Sequence, residues 1–249
     1  MTGSKKTTLV LQERDLRLFE ALESMRVVDR EQAKVVAGFQ STRRANDRLL
    51  QLTRAGFLKR AFVGSRQAVY WRPNEVLQRG GNRKEYAHEP AALFLRHQLE
   101  INRVHLLVQY RSLPVPLWRF LTWRTFRQPL SQTMPLIPDG YFELGSAQSI
   151  RPMFVEVDLG TEAVPILARK ARLYLELATS GEFAKLFGRP QFRVLVITTS
   201  VDRLLNIRAA IAKQTDKIFW FTTLAVVKPE RFWGAVWLRP VGDQLQTLL

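Results

Sequence analysis

The sequence contains no cysteine, which removes disulfides, thiolate metal sites and cysteine nucleophiles together. Histidine is scarce, with three in the chain. His97 and His105 stand eight apart, too far along one helix to share a metal, and His88 precedes both, so a zinc site is not expected. No run of about 18 uncharged apolar residues occurs, and the first 15 residues hold no apolar stretch of signal-peptide length. The expectation is a soluble cytoplasmic protein without a membrane partner. Acidic residues are also few: 22 Asp and Glu face 38 Lys and Arg, a formal net charge of +16. Such an excess of one sign suits a polyanion, and double-stranded DNA is the leading candidate. Hydrophobic residues make up 46% of the 249, enough for a substantial core.

Residues 1–73 carry 15 Lys and Arg against 7 Asp and Glu, half of the net charge. Leu16, Phe19, Leu22 and Met25 recur at helical spacing over Glu13–Arg26. Asp29 then caps a short helix that stops at Gly38. Ser41 caps a third helix, ending at Gly56, whose Ala45, Leu49, Leu50 and Leu52 turn inward. The alternating stretch from Phe57 to Pro73, with a turn at Gly64-Ser65, predicts a β-hairpin. Three helices and a basic hairpin form the winged helix-turn-helix pattern. Its third helix would bring Arg43, Arg44, Asn46 and Arg48 to DNA, and the hairpin would bring Lys59, Arg60, Arg66 and Gln67.

Residues 74–89, with Gly80-Gly81 and mixed charges, predict a linker and set the domain boundary. A second domain is expected over residues 90–249. It opens with a long helix from Pro90, followed by strands near Trp118–Arg127, Asp139–Leu144 and Met153–Leu159, a helix over Val164–Ala178, and then strand, helix and strand to Thr223. GAVWLRP, at 234–240, reads as an edge strand. The fold class is therefore α+β: a winged helix-turn-helix followed by an α/β sandwich with a mixed sheet. Trp233 and Trp237 near the C-terminus suit either core packing or a homodimer contact, with core packing favoured.

Acidic residues gather in one place. Glu156 and Asp158 are two apart on a strand and so share a face, with Met153, Val155 and Val157 opposite. If Asp139 stands on the adjacent strand, the carboxylates converge, and their mutual repulsion suggests a hard-metal site with oxygen ligands. Glu100 on the long helix is a further candidate ligand. Asp158 and Thr161 also have a structural reading, as caps for the helix that follows, with Glu162 complementing its dipole. Glu156, between two valines in mid-strand, has no such local role.

Asp139, Glu156-Val-Asp158 and Lys170 on this topology resemble the PD-(D/E)xK nuclease superfamily. PDGYFEL, FVEVDLGTE and ARKARLYLEL resemble the replication-relaxation family, associated with plasmid replication and DNA relaxation. The resemblance implies a nuclease-like second domain in which Asp139 and Glu156 hold Mg2+ or Mn2+ for phosphodiester chemistry. The superfamily's lysine stands two residues after the glutamate, where this chain has Asp158. Lys170, on the following helix, is the candidate to replace it. The implied function is DNA binding in plasmid or mobile-element replication, with a metal-dependent endodeoxyribonuclease site. The alternative is a regulator or assembly factor that keeps the fold without the chemistry.

Overall fold

The computed structural model describes residues 9–64, 67–75 and 89–249. The chain divides into two compact units, Met1–Asn102 and Arg103–Leu249. The expected linker lies mostly at 76–88, outside the described residues.

In the first unit, α1 (Glu13–Met25), α2 (Arg30–Ala37) and α3 (Thr42–Arg54) surround a small antiparallel sheet of order β1-β3-β2. Its strands are β1 (Val28–Asp29), β2 (Lys59–Val63) and β3 (Gln67–Trp71). The predicted caps form: the Asp29 carboxylate accepts from Gln32 N at 2.8 Å and the Ser41 hydroxyl from Arg44 N at 3.2 Å. Gly38 closes α2 at φ +71°, the left-handed region that glycine enters without strain. Phe19, Leu22, Met25, Ala45, Leu49 and Leu52 are buried as expected, whereas Leu50 is half-buried and Leu16, expected on the same stripe, is exposed.

The first part of α4 (Glu89–Gln109) belongs to this unit, which extends to Asn102. Leu95 and Leu99 pack against Val27, Val63, Val69 and Trp71. Asn102 Nδ2 donates to Val27 O at 2.6 Å, and Gln32 Nε2 donates to Leu99 O at 2.8 Å. These side-chain amides satisfy backbone carbonyls within the core, where a lost partner is costly.

The second unit is built on a five-stranded mixed sheet of order β4-β5-β6-β7-β8. Its strands are β4 (Arg119–Arg124), β5 (Gly140–Gly145), β6 (Ile150–Asp158), β7 (Arg193–Thr198) and β8 (Phe219–Thr223). The β4-β5 and β5-β6 pairs are antiparallel; β6-β7 and β7-β8 are parallel. Parallel neighbours need a crossover, supplied by α5 (Val164–Thr179) with the short α6 (Glu182–Phe187), and by α7 (Val201–Ala212). These helices cover one face of the sheet, where Tyr141, Phe154, Val194, Val196, Phe219 and Phe221 meet Tyr174, Leu177, Phe183, Leu204 and Ile207.

On the other face, His105 from the end of α4 stacks on Trp123 at 4.0 Å, and Trp123 stacks on Phe142 at 6.0 Å. His105 is buried, and its Nδ1 has no partner among the described residues. Burial pushes its pKa down to about 4, so it is a neutral core ring. GAVWLRP does not form the expected edge strand; it makes only the bridge Phe221↔Leu238 beside β8 and the bridge Trp237↔Gln246. Pro240 brings no backbone N–H to extend that pairing. Trp237 is fully buried and donates to Phe232 O at 2.9 Å.

A buried ion pair ties α1 to α3. Arg48 Nε donates to Asp15 Oδ1 at 3.0 Å and Arg48 NH2 to Val10 O at 2.7 Å, and Asp15 is 0% exposed. Asp15 also accepts from Gln12 N at 2.7 Å, closing the start of α1. Arg48→Ala, which leaves that carboxylate buried and unpaired, is expected to lower unfolding stability by about 3–5 kcal/mol, measured by urea denaturation.

Candidate active site

The candidate site lies where β6 ends and β5 begins, beside α5. Antiparallel register pairs Gly140 with Val155, which sets Asp139 next to Glu156. Asp139 Oδ2 accepts from Val157 N at 2.8 Å. Gly140 is required here, because a Cβ at this position would lie 2.6 Å from Trp123 Cζ2. The Asp-Gly pair thus combines an anchored carboxylate with a cross-strand indole.

Glu156 is 8% exposed. Both of its oxygens are engaged from α5: Lys170 Nζ donates to Oε2 and the Tyr174 hydroxyl to Oε1. Lys170 and Tyr174 are four apart and so project from one face of the helix. Burial pushes Glu156 up to about 7, opposed by the Lys170 charge and reinforced by Asp139. For Lys170, burial disfavours the ammonium, but Glu156 and Asp139 outweigh it and raise the pKa. Tyr174 is raised well above the phenol range by burial and then by Glu156, so its hydroxyl remains a donor.

Asp158 shares the face of Glu156 but has a different partner. Arg203 of α7 grips it with Nε–Oδ2 at 2.6 Å and NH2–Oδ1 at 3.0 Å. Arg203 also donates to Glu162 O. Asp158 Oδ1 accepts from Gly160 N at 3.2 Å, in a turn where Gly160 has φ +80°. The helix-cap expectation for Asp158 and Thr161 is corrected: the N-cap of α5 is Ala163, with no side-chain cap, and Pro165 opens the helix. On β5, Glu143 is paired as well. Arg189 NH2 donates to Glu143 Oε2 at 2.9 Å and Tyr141 OH to Glu143 Oε1 at 2.5 Å.

Among the described residues no group of three or more His, Cys, Asp or Glu is placed to hold a metal ion. Glu100 belongs to the first unit. The pair Asp139 and Glu156 still fits one magnesium-like cation, which takes one or two carboxylates and completes its shell with water and phosphate. The field of Asp139 on Glu156 is the like-charge cost that a cation relieves.

The expected DNA-contact residues divide. Arg43 and Arg44 are exposed on the first turn of α3, Asn46 is half-buried, and Arg48 is turned inward to Asp15. Arg60 is exposed and lies over Phe62 at 4.5 Å. Lys59 donates to Pro73 O at 3.1 Å and Gln67 to Asp29 at 2.9 Å. Arg66 lies outside the described residues. The inward turn of Arg48 had a signal in the sequence. Asp15 stands at the helical spacing of Leu18 and Leu22, and Arg48 at that of Ala45 and Leu52, so each apolar stripe carries one opposite charge.

Replacing Lys170 by Met removes the cation nearest Glu156. Carbon-13 titration of the Glu156 carboxyl is expected to give a midpoint near 7 in the wild type and one higher by about one unit or more in the variant. The folded-state value lies above the ordinary 4.5, so the stability from Glu156 protonation is full below that pH and lost as pH rises through about 7. A midpoint near 4.5 in the wild type would contradict this reading.

No curated protein sequence matches the chain. Among solved structures, the restriction endonuclease FokI matches at 11% identity and a TM-score of 0.33, over 86% of this chain and 43% of that one. This chain therefore corresponds to less than half of that enzyme's length. The replication-relaxation family matches residues 19–189, a span that runs from the middle of α1 to the end of α6 and holds the basic first turn of α3, and Asp139, Glu156, Asp158 and Lys170. The chain belongs to the replication-relaxation family.

Proposed function

We propose that this protein binds double-stranded DNA in plasmid or mobile-element replication, and that Asp139, Glu156 and Lys170 form a metal-dependent phosphodiester-cleaving site. The observation that carries the second part is the contact of Lys170 with Glu156 beside Asp139. A cation from α5 thereby meets the Glu156 carboxylate and is the candidate for the role of the superfamily's strand lysine. Asp139 and Glu156 would hold Mg2+ or Mn2+, which supplies Lewis-acid stabilisation of a phosphoryl oxygen and a more acidic water. The chain's own contribution is positional: Val157 N fixes Asp139, and Tyr174 fixes Glu156. Lys170 can transfer its hydrogen bond from Glu156 to a phosphate oxygen or to the attacking water.

The DNA-binding part takes the first unit as a winged helix-turn-helix, with α3 as recognition helix and the β2-β3 hairpin as wing. Arg43 and Arg44, exposed at the N-terminal end of α3, support it, as does the +16 net charge. A regulator without cleavage is the second reading, favoured by one observation: both oxygens of Glu156 are already engaged.

Duplex binding is expected to weaken steeply with salt, and Arg43→Gln/Arg44→Gln is expected to lower the slope of log K against log salt by about 2. An unchanged slope removes α3 from the interface. With Mg2+ or Mn2+, wild-type protein is expected to nick supercoiled DNA, and Glu156→Gln to lose nicking while keeping duplex affinity. Absence of nicking with either metal selects the regulator; nicking undiminished in Glu156→Gln removes the site assignment.

A further inference from the structure

Arg151, Arg193 and Arg239 in the second unit differ from three other arginines that are at least partly buried. Arg48, Arg189 and Arg203 each meet a carboxylate: Asp15, Glu143 and Asp158. Arg151, Arg193 and Arg239 have no ion pair with a carboxylate among the described residues, although all three are partly buried.

Their placement follows from the sheet. Arg151 lies near the start of β6 and Arg193 opens β7; by strand alternation both lie on the face opposite Glu156. Register pairs Leu195 with Trp220, which puts that indole on the same face. Arg151 NH1 and Arg193 NH1 both donate to Leu248 O, at 2.6 and 2.8 Å, so one carbonyl brings the two guanidinium groups together. Arg193 and Arg239 each lie over Trp220, at 4.5 and 4.7 Å, and Arg151 over Trp118 at 4.4 Å. Arg239 NH2 also donates to Asp216 O at 3.2 Å.

Three cations thus share aromatic platforms and two backbone carbonyls. Burial and then the charges of Arg151 and Arg239 push Arg193 down to about 10. Asp216 is the carboxylate whose field reaches Arg239, without an ion pair. Donors outnumber acceptors: Arg239 Nε and Trp220 Nε1 have no partner among the described residues and are shut off from water, so a ligand would engage the other guanidinium nitrogens. An arginine cluster deficient in acceptors and held on rings is a preorganised receptor for a tetrahedral oxyanion, which accepts paired N–H bonds from the guanidinium fork.

We propose that Arg151, Arg193 and Arg239 bind a phosphate group, at a site separate from Asp139 and Glu156 and on the opposite face of the sheet. The site requires neither α3 nor Glu156, so it does not rest on the function proposed above. Arg193 and Arg239 also lie beyond the residues matched by the family.

The test compares thermal unfolding of the full chain in inorganic phosphate and in chloride at equal ionic strength. At about ten times the dissociation constant, phosphate is expected to raise the wild-type Tm by about 3–5 °C over chloride. Arg193→Gln and Arg151→Gln/Arg239→Gln are expected to lose that difference. Arg193→Gln is also expected to match or exceed wild-type Tm in chloride, since it relieves like-charge repulsion, which loss of a purely structural arginine would not do. Equal wild-type Tm in the two salts overturns the proposal without need of any variant, and so does a phosphate response retained in both variants. A short duplex identifies the source of the phosphate. If the site takes backbone phosphodiesters, Arg193→Gln lowers the salt slope of duplex binding by about 1; if it takes free phosphate, the slope is unchanged and only the Tm response is lost. Arg43→Gln/Arg44→Gln is expected to keep the phosphate response, which separates this site from the DNA-binding reading.

Discussion

A carboxylate buried in the middle of a sheet sets the terms for the second unit. Glu156 stands at a position where its strand neighbours Val155 and Val157 are core residues, and an acid there is tolerated only with partners. Those partners come from one helix face, Lys170 and Tyr174. The β6-α5 connection is therefore fixed by electrostatics as well as by packing of Ala171 and Leu177 into the same cluster. Asp139 adds negative charge on the neighbouring strand, which opposes the Lys170 pairing by raising Glu156 and supports it by raising Lys170.

Local signals were legible and distant ones were not. Asp29, Gly38 and Ser41 act within a few residues of themselves, so their caps could be read directly. Strand alternation gave the face of Glu156, and helical spacing put Lys170 with Tyr174. Arg203 lies 45 residues from Asp158, and nothing in the spacing links them. Local spacing offers Asp158 only as a motif position or a helix cap and gives no sign of the long-range ion pair. The edge strand expected at 234–240 does not form for a related reason: alternation predicts an extended chain but not whether a neighbour is in register to pair with it.

The two units use arginine in different ways. On α3, Arg43 and Arg44 are exposed one turn from the inward Arg48, so residues of one type in one helix divide between solvent and core according to helical phase. In the second unit, Arg203 and Arg189 each complete a specific buried acid, whereas Arg151 and Arg193 complete only a carbonyl. A count of basic residues gives the sign of the surface potential but not this division of labour.

The grip of Arg203 on Asp158 bears on how this site could change over evolutionary time. A lysine at position 158 would face the Arg203 guanidinium from within a few ångströms and would leave Gly160 N and Arg203 without their acceptor. Two positions in separate elements would have to change in concert, with each intermediate carrying either an uncompensated acid or a pair of opposed cations. Asp158 and Arg203 are thus mutually entrenched, and neither charge can be reversed except by passing through a less stable protein.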